Sequence, residues 1–131
     1  MASRGLSLPK EVRLRRSSEI VEVIRKGKIF RERDFSLFLL FKGEGPMRFG
    51  CIVPKRVGTA PKRNRIKRLV REVFRLNRGR LKEGFWMIVL VKQGAEGDSL
   101  RSWWERLEKV WREAGVMRED EEGSPSSSDL L

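Results

Sequence analysis

Lys62, Arg63, Arg65, Lys67, Arg68, Arg71 and Arg75 place seven cations in fourteen residues, joined by the amide of Asn64 and interrupted by one acid, Glu72. Side chains of these types hold phosphate. The guanidinium fork matches two phosphate oxygens at once, and an ammonium acts as a compact point charge. The cluster extends in both directions. From Lys55 to Lys82 there are twelve Lys and Arg against one Glu, so +11 of the chain's +12 falls in this stretch. Solvated helix faces usually mix signs, and this one does not. Self-repulsion among so many like charges is relieved by a polyanion, whose released counterions drive binding. Asn64 can reach a base edge or a ribose hydroxyl, or can serve only as a residue of the first helical turn.

Other chemistries lack their residues. The chain has no histidine and a single cysteine, Cys51. That removes an internal disulfide, a Cys/His zinc site and His-dependent nucleophilic catalysis. A protein-only nuclease would need clustered carboxylates around metal. Glu11, Glu19, Glu22, Glu32, Asp34 and Glu44 are scattered among basic residues, and the dense run Glu119-Asp120-Glu121-Glu122 adjoins a Ser-rich tail. The polypeptide is therefore expected to bind and not to cut. No apolar run approaches the roughly 18 residues of a membrane span, and Met1–Lys10 lacks the apolar centre of a secretory signal. Nucleic acid is the expected partner, with no membrane and no small-molecule substrate, in the cytoplasm.

The elements that must position the basic face follow from periodicity. Ile66, Leu69, Val70, Val73 and Phe74 recur at helical spacing, so residues 62–78 read as an amphipathic helix with Asn64, Lys67, Arg68, Arg71 and Arg75 on its opposite half. Ser17-Ser18-Glu19 looks like a helix start, Ile20, Val21, Val23 and Ile24 its apolar face, and Gly27 its stop. Residues 35–41, 48–53 and 85–91 read as strands, the first two paired as a hairpin through the Gly43–Pro46 turn. A last helix, capped by Asp98 or Ser99, carries Leu100, Trp103, Trp104, Leu107, Val110 and Trp111 into a core. Cys51 reads as a buried structural thiol. The prediction is one small α+β domain in the order α-β-β-α-β-α, a sheet covered by helices, with a β-α-β crossover through the basic helix. It occupies 17–117, between a basic flexible arm (1–16) and an acidic, Ser-rich disordered tail (118–131).

The run Lys55-Arg56-Val57-Gly58-Thr59-Ala60-Pro61-Lys62-Arg63-Asn64-Arg65-Ile66-Lys67-Arg68-Leu69-Val70-Arg71-Glu72-Val73-Phe74-Arg75 closely resembles the signature of the bacterial ribonuclease P protein family. The flanks agree, from Arg13-Leu14-Arg15-Arg16 to about residue 113. The resemblance implies a protein subunit beside a large catalytic RNA, acting on precursor tRNA, with magnesium held mainly by the RNA. It assigns RNA contact to Lys55, Arg56, Lys62, Arg63, Asn64, Arg65, Lys67, Arg68, Arg71 and Arg75, and no catalytic residue. It also implies a left-handed crossover and a cleft between the first helix and the sheet for the substrate's single-stranded 5′ leader. Ile20 and Ile24 stand at the cleft positions where the family commonly carries aromatics, which is a departure. Phe35 or Phe38 is expected to supply a ring instead, the two sharing a face that excludes Leu37, with a core role for each as the alternative. Arg13 joins this set. Charge alone leaves room for a ribosomal or other structural RNA-binding protein.

Overall fold

The structure is a computed structural model that describes residues 8–118. Three helices, α1 (Ser17–Lys26), α2 (Ala60–Asn77) and α3 (Leu100–Ala114), enclose a sheet of β1 (Lys28–Arg31), β2 (Phe35–Phe41), β3 (Arg48–Ile52) and β4 (Phe85–Val91). The spatial order is β1-β2-β4-β3. β4 pairs antiparallel with β2 and parallel with β3, so the basic helix α2 connects the parallel neighbours of a β-α-β unit. The fold class is the expected α+β.

Strands β2 and β4 are nearly continuous apolar runs because both of their faces are covered. One face carries Phe35, Leu37, Leu39, Met87, Val89 and Val91 into the main core, with Phe49 from β3, Ile66, Val70, Val73 and Phe74 from α2, and Trp103, Leu107, Val110 and Trp111 from α3. Phe49 and Phe74 stack at 4.3 Å, which pins α2 over β3. The other face carries Phe38 and Ile88 into a smaller core with Leu14 and Val23 beneath α1. Burying each such side chain is worth about 1.5–3 kcal/mol. Two small cores thus share one sheet.

Four expectations are corrected. β2 and β3 do not form a hairpin. The Gly43–Pro46 turn is present, with Gly43 and Gly45 at positive φ, but it arches over the entry of β4. Lys42 and Gly43 donate to the Gly84 carbonyl at 2.7 and 3.1 Å, and Gly84 donates back to Gly45 at 2.8 Å. β4, apolar on both faces, takes the central place. Second, a strand was missed: β1 pairs with β2, and its four residues, half of them charged, carry no periodic signal. Third, α1 starts at Ser17 without a side-chain cap; Ser99, by contrast, caps α3 by accepting from the Ser102 amide at 3.1 Å.

Fourth, the flexible arm does not extend to residue 16. Leu8, Val12 and Leu14 are buried, and Leu14 donates to the Phe49 carbonyl at 2.9 Å, bridging onto the outer edge of β3. The apolar residues interleaved with the arginines give this segment a face to bury. Residues 1–7 of the expected arm and 119–131 of the expected tail lie outside the described residues.

Candidate nucleic-acid interface

Helix α2 buries Ile66, Val70, Val73, Phe74 and Asn77, while Leu69 is half-buried. Asn77 is satisfied within the core: its amide donates to the Val73 carbonyl at 2.8 Å, and its oxygen accepts from Arg80 at 2.7 Å. The opposite half is basic and exposed, as the pattern predicts, but the structure divides it in two. At 100° per residue, Lys62 and Arg65 lie on the flank toward α3, and Asn64, Lys67, Arg68 and Arg71 on the flank toward β3.

The α3 flank is occupied. Arg65 donates through Nε to the Gly97 carbonyl and through Nη2 to the Asp98 carbonyl at 3.2 Å. Lys62 pairs with Glu96 at 3.1 Å. Two others are also engaged. Arg63 donates to the Gly58 carbonyl at 3.0 Å, and Arg75 grips Glu72 with two bonds of 2.9 and 2.7 Å, which raises its already high pKa.

The β3 flank is free. Asn64, Lys67, Arg68 and Arg71 make no side-chain hydrogen bond or ion pair among the described residues, nor do Lys55 and Arg56 in the turn that precedes α2. These six form one electropositive strip. Cys51 lies under it on β3, half-buried and not fully buried as expected. Burial pushes its thiol up to about 12, against the pull of Arg71 and Lys67, so it is no nucleophile near neutral pH. Among the described residues no three His, Cys, Asp or Glu side chains cluster as ligands for a metal ion. The protein side of this interface does not fit a magnesium site of its own.

A groove opens on the sheet face that carries α1. Glu19 holds the first turn of α1 to Arg48 at the start of β3, at 2.9 Å, and Glu22 pairs with Lys42 at 2.8 Å; this contact with Lys42 lowers the Glu22 pKa. Lys42 and Arg48 also lie over Trp86, 4.4 and 5.0 Å from the ring. One flank of α1 is thus tied down along the row Leu40, Trp86, Arg48. The other flank presents Ile20 and Ile24, both half-buried, above the row Ile52, Leu90, Ser36, Arg31. That row crosses all four strands and begins beside the loop leading to Lys55 and Arg56.

Of the residues predicted for this cleft, Ile20, Ile24 and Phe38 come together. Phe38 is covered by α1 and 7% exposed. Phe35 does not join them. Side chains alternate along a strand, so Phe35 shares a face with Leu37, not with Phe38. It is fully buried in the main core, 5.8 Å from Trp103. Arg13 sits at the outer edge of β3, half-buried, and its Nε is enclosed without a partner. Leu90, Ile52 and Trp86 were missed; alternation through Trp86, Ile88 and Leu90 was the available signal. Trp103 and Trp111 are core residues, as predicted, and Trp104 packs half-buried against them.

Comparison with known proteins agrees with this architecture. A family model described as Ribonuclease P matches residues 8–115. A ribonuclease P protein component from Dictyoglomus thermophilum is 39% identical over 115 residues, covering 86% of this chain and 96% of the relative. One from Shouchella clausii is 37% identical over 111 residues, covering 84% and 91%. Among solved structures, the RNase P protein of Staphylococcus aureus matches with a TM-score of 0.75 at 27% identity, over 83% of this chain and 100% of that one. That of Thermotoga maritima matches with a TM-score of 0.70 at 27% identity, over 77% and 96%.

Proposed function

The chain belongs to the ribonuclease P protein family, and from that premise we propose that it binds a catalytic RNA and the 5′ leader of precursor tRNA. The leader is then removed by RNA-catalysed, magnesium-dependent cleavage. The observation that carries this is the free strip of α2. Asn64, Lys67, Arg68 and Arg71 on a helix whose other side is the core, with Lys55 and Arg56 in the turn before it, are uncommitted cations and one amide. Such a surface neutralises phosphates at small conformational cost and offers no general acid, base or nucleophile. The chemistry is accordingly assigned to the RNA, and the magnesium with it. Lys62, Arg63, Arg65 and Arg75 keep charge at the rim while their guanidinium and ammonium groups stay partly engaged.

The groove beneath Ile20 and Ile24 suits the single-stranded leader. The partly exposed floor residues, Ile52 and Leu90, are aliphatic, and the Phe38 ring behind them is covered by α1, so a base packs by area more than by ring stacking, which favours tolerance of leader sequence over base readout. Membership of this family supports a cytoplasmic place of work. Among the described residues no helix is long and apolar enough to cross a membrane. The test is reconstitution. Purified protein is mixed with a bacterial ribonuclease P RNA at low magnesium, and release of the 5′ leader is followed. Stimulation is expected, and no stimulation by a folded protein refutes the proposal.

A further inference from the structure

The groove has a second mouth. Its floor row ends at Arg31 on β1, which pairs with Ser36 and so lies on the same sheet face as Ser36, Leu90 and Ile52. Three strand spacings separate Ile52 from Arg31, about 14 Å. Arg33 follows at the tip of the β1–β2 turn. Both arginines are exposed, and neither has a carboxylate partner among the described residues.

The acids that alternate with them are committed elsewhere. Glu32 faces Lys109 at 3.6 Å and Asp34 faces Arg106 at 3.2 Å, both on α3 across the sheet. Neutralisation is therefore drawn to the α3 side, and positive charge is left on the groove side. The turn is also fixed: Glu32 donates to the Phe35 carbonyl at 2.8 Å, and Lys92 Nζ donates to the Glu32 carbonyl at 2.6 Å. Free cations thus stand at both ends of one row, across half-buried Ile52 and Leu90 and the small, buried Ser36.

We propose that Arg31 and Arg33 form a second RNA station, distinct from α2, which holds phosphates of the single-stranded leader after it has crossed the groove. This rests on the reading of the groove as the leader's path. The station acts only on a strand long enough to reach β1, so it makes leader length, and not leader sequence, the property the protein senses. Loss of two phosphate contacts on single-stranded RNA should lower the slope of log affinity against log salt by about 1.4.

The experiment compares wild type with R31A/R33A, using precursor tRNAs whose leader ends inside the groove or extends well past β1. Each is assayed in the reconstituted holoenzyme. Stimulation of the short-leader substrate by wild type tests the functional reading itself. The station is supported if the variant matches wild type on the short leader and loses affinity and salt dependence on the long one. Equal losses on both substrates, or no loss on the long one, overturn it.

A second arm needs no catalytic RNA: binding of a long fluorescent single-stranded oligoribonucleotide to the protein alone, with the fold checked by circular dichroism. An unchanged salt slope in R31A/R33A overturns the proposal even where wild type fails to stimulate cleavage. Self-association abolished by the substitutions, with RNA binding intact, would reassign the edge to a protein contact and overturn it as well.

Discussion

Arg65 lies across Gly97: its guanidinium closes on the Gly97 and Asp98 carbonyls, and its side-chain carbons occupy the space a Cβ at Gly97 would need, with Cγ at 3.0 Å and Cδ at 3.1 Å. An arginine from the middle of the basic sequence run is therefore a brace between α2 and the loop that starts α3. Arg68, one turn on, touches nothing comparable. The two should part company on substitution. Arg68→Ala is expected to leave the urea midpoint within error and to flatten the salt dependence of RNA binding by roughly 0.7–0.9 per lost phosphate contact. Arg65→Ala should cost about 0.5–1.5 kcal/mol and speed hydrogen exchange in residues 94–98. Equal stability losses for both would remove the distinction between the two flanks.

How far the sequence reaches can be judged from the same residues. Helix α2 was legible because its apolar repeat and single-sign face coincide in one continuous segment. The Arg65 tether was not, since its partners lie 32 and 33 residues away in a loop with no pattern of its own. Strand β1 was invisible for a related reason: Lys28-Ile29-Phe30-Arg31 becomes a strand through its ladder with β2. The place of β4 between β2 and β3 is a long-range choice that local turn chemistry at Gly43–Pro46 cannot announce. The groove was half legible. Ile20 and Ile24 were found, but the strand parity was misassigned, and the far mouth depends on β1.

Parity yields a second prediction. Phe35 is sealed in the main core and Phe38 lies under α1 beside the groove. Phe35→Ala should cost about 3–5 kcal/mol while, in the protein that remains folded, the preference for substrates with a leader over those without is unchanged. Phe38→Leu keeps an apolar filler and should cost far less, yet alter that preference by reshaping the floor. A leader effect from Phe35 with none from Phe38 would reverse the assignment of faces.

The thiol of Cys51 supplies a chemical check on the burial under α2. Its folded pKa of about 12 stands above the ordinary 9.0. The proton is held more tightly in the folded state, so this group's contribution to stability is whole below pH 9.0 and is lost as pH rises toward 12. Iodoacetamide should accordingly label the half-buried Cys51 more slowly in the native protein at neutral pH than in urea. Cys51→Ala should shallow the alkaline loss of stability. Fast native labelling would mean that β3 is open beneath Lys67 and Arg71.

Gly27 sets the height of α1 over the sheet. Its φ of −76° is open to any residue, so conformational freedom is not the reason for glycine here. Close approach is the reason. A Cβ at this position would stand 2.5 Å from the Val23 carbonyl oxygen and 3.1 Å from that of Leu39. Both are backbone atoms, one in α1 and one in β2, and neither can rotate away. Gly27→Ala must therefore lift the end of α1 from β2 or break the 2.8 Å bond from the Gly27 amide to Val23. A loss of about 1–3 kcal/mol is expected, as for other overpacked sites. Because α1 is also the wall that carries Ile20 and Ile24, the same change should weaken leader-dependent binding more than the catalytic-RNA binding proposed for α2. Urea denaturation measures the first effect, and the ratio of affinities for precursor and leaderless tRNA in the reconstituted complex measures the second. A stability loss with that ratio unchanged would separate the position of α1 from leader binding.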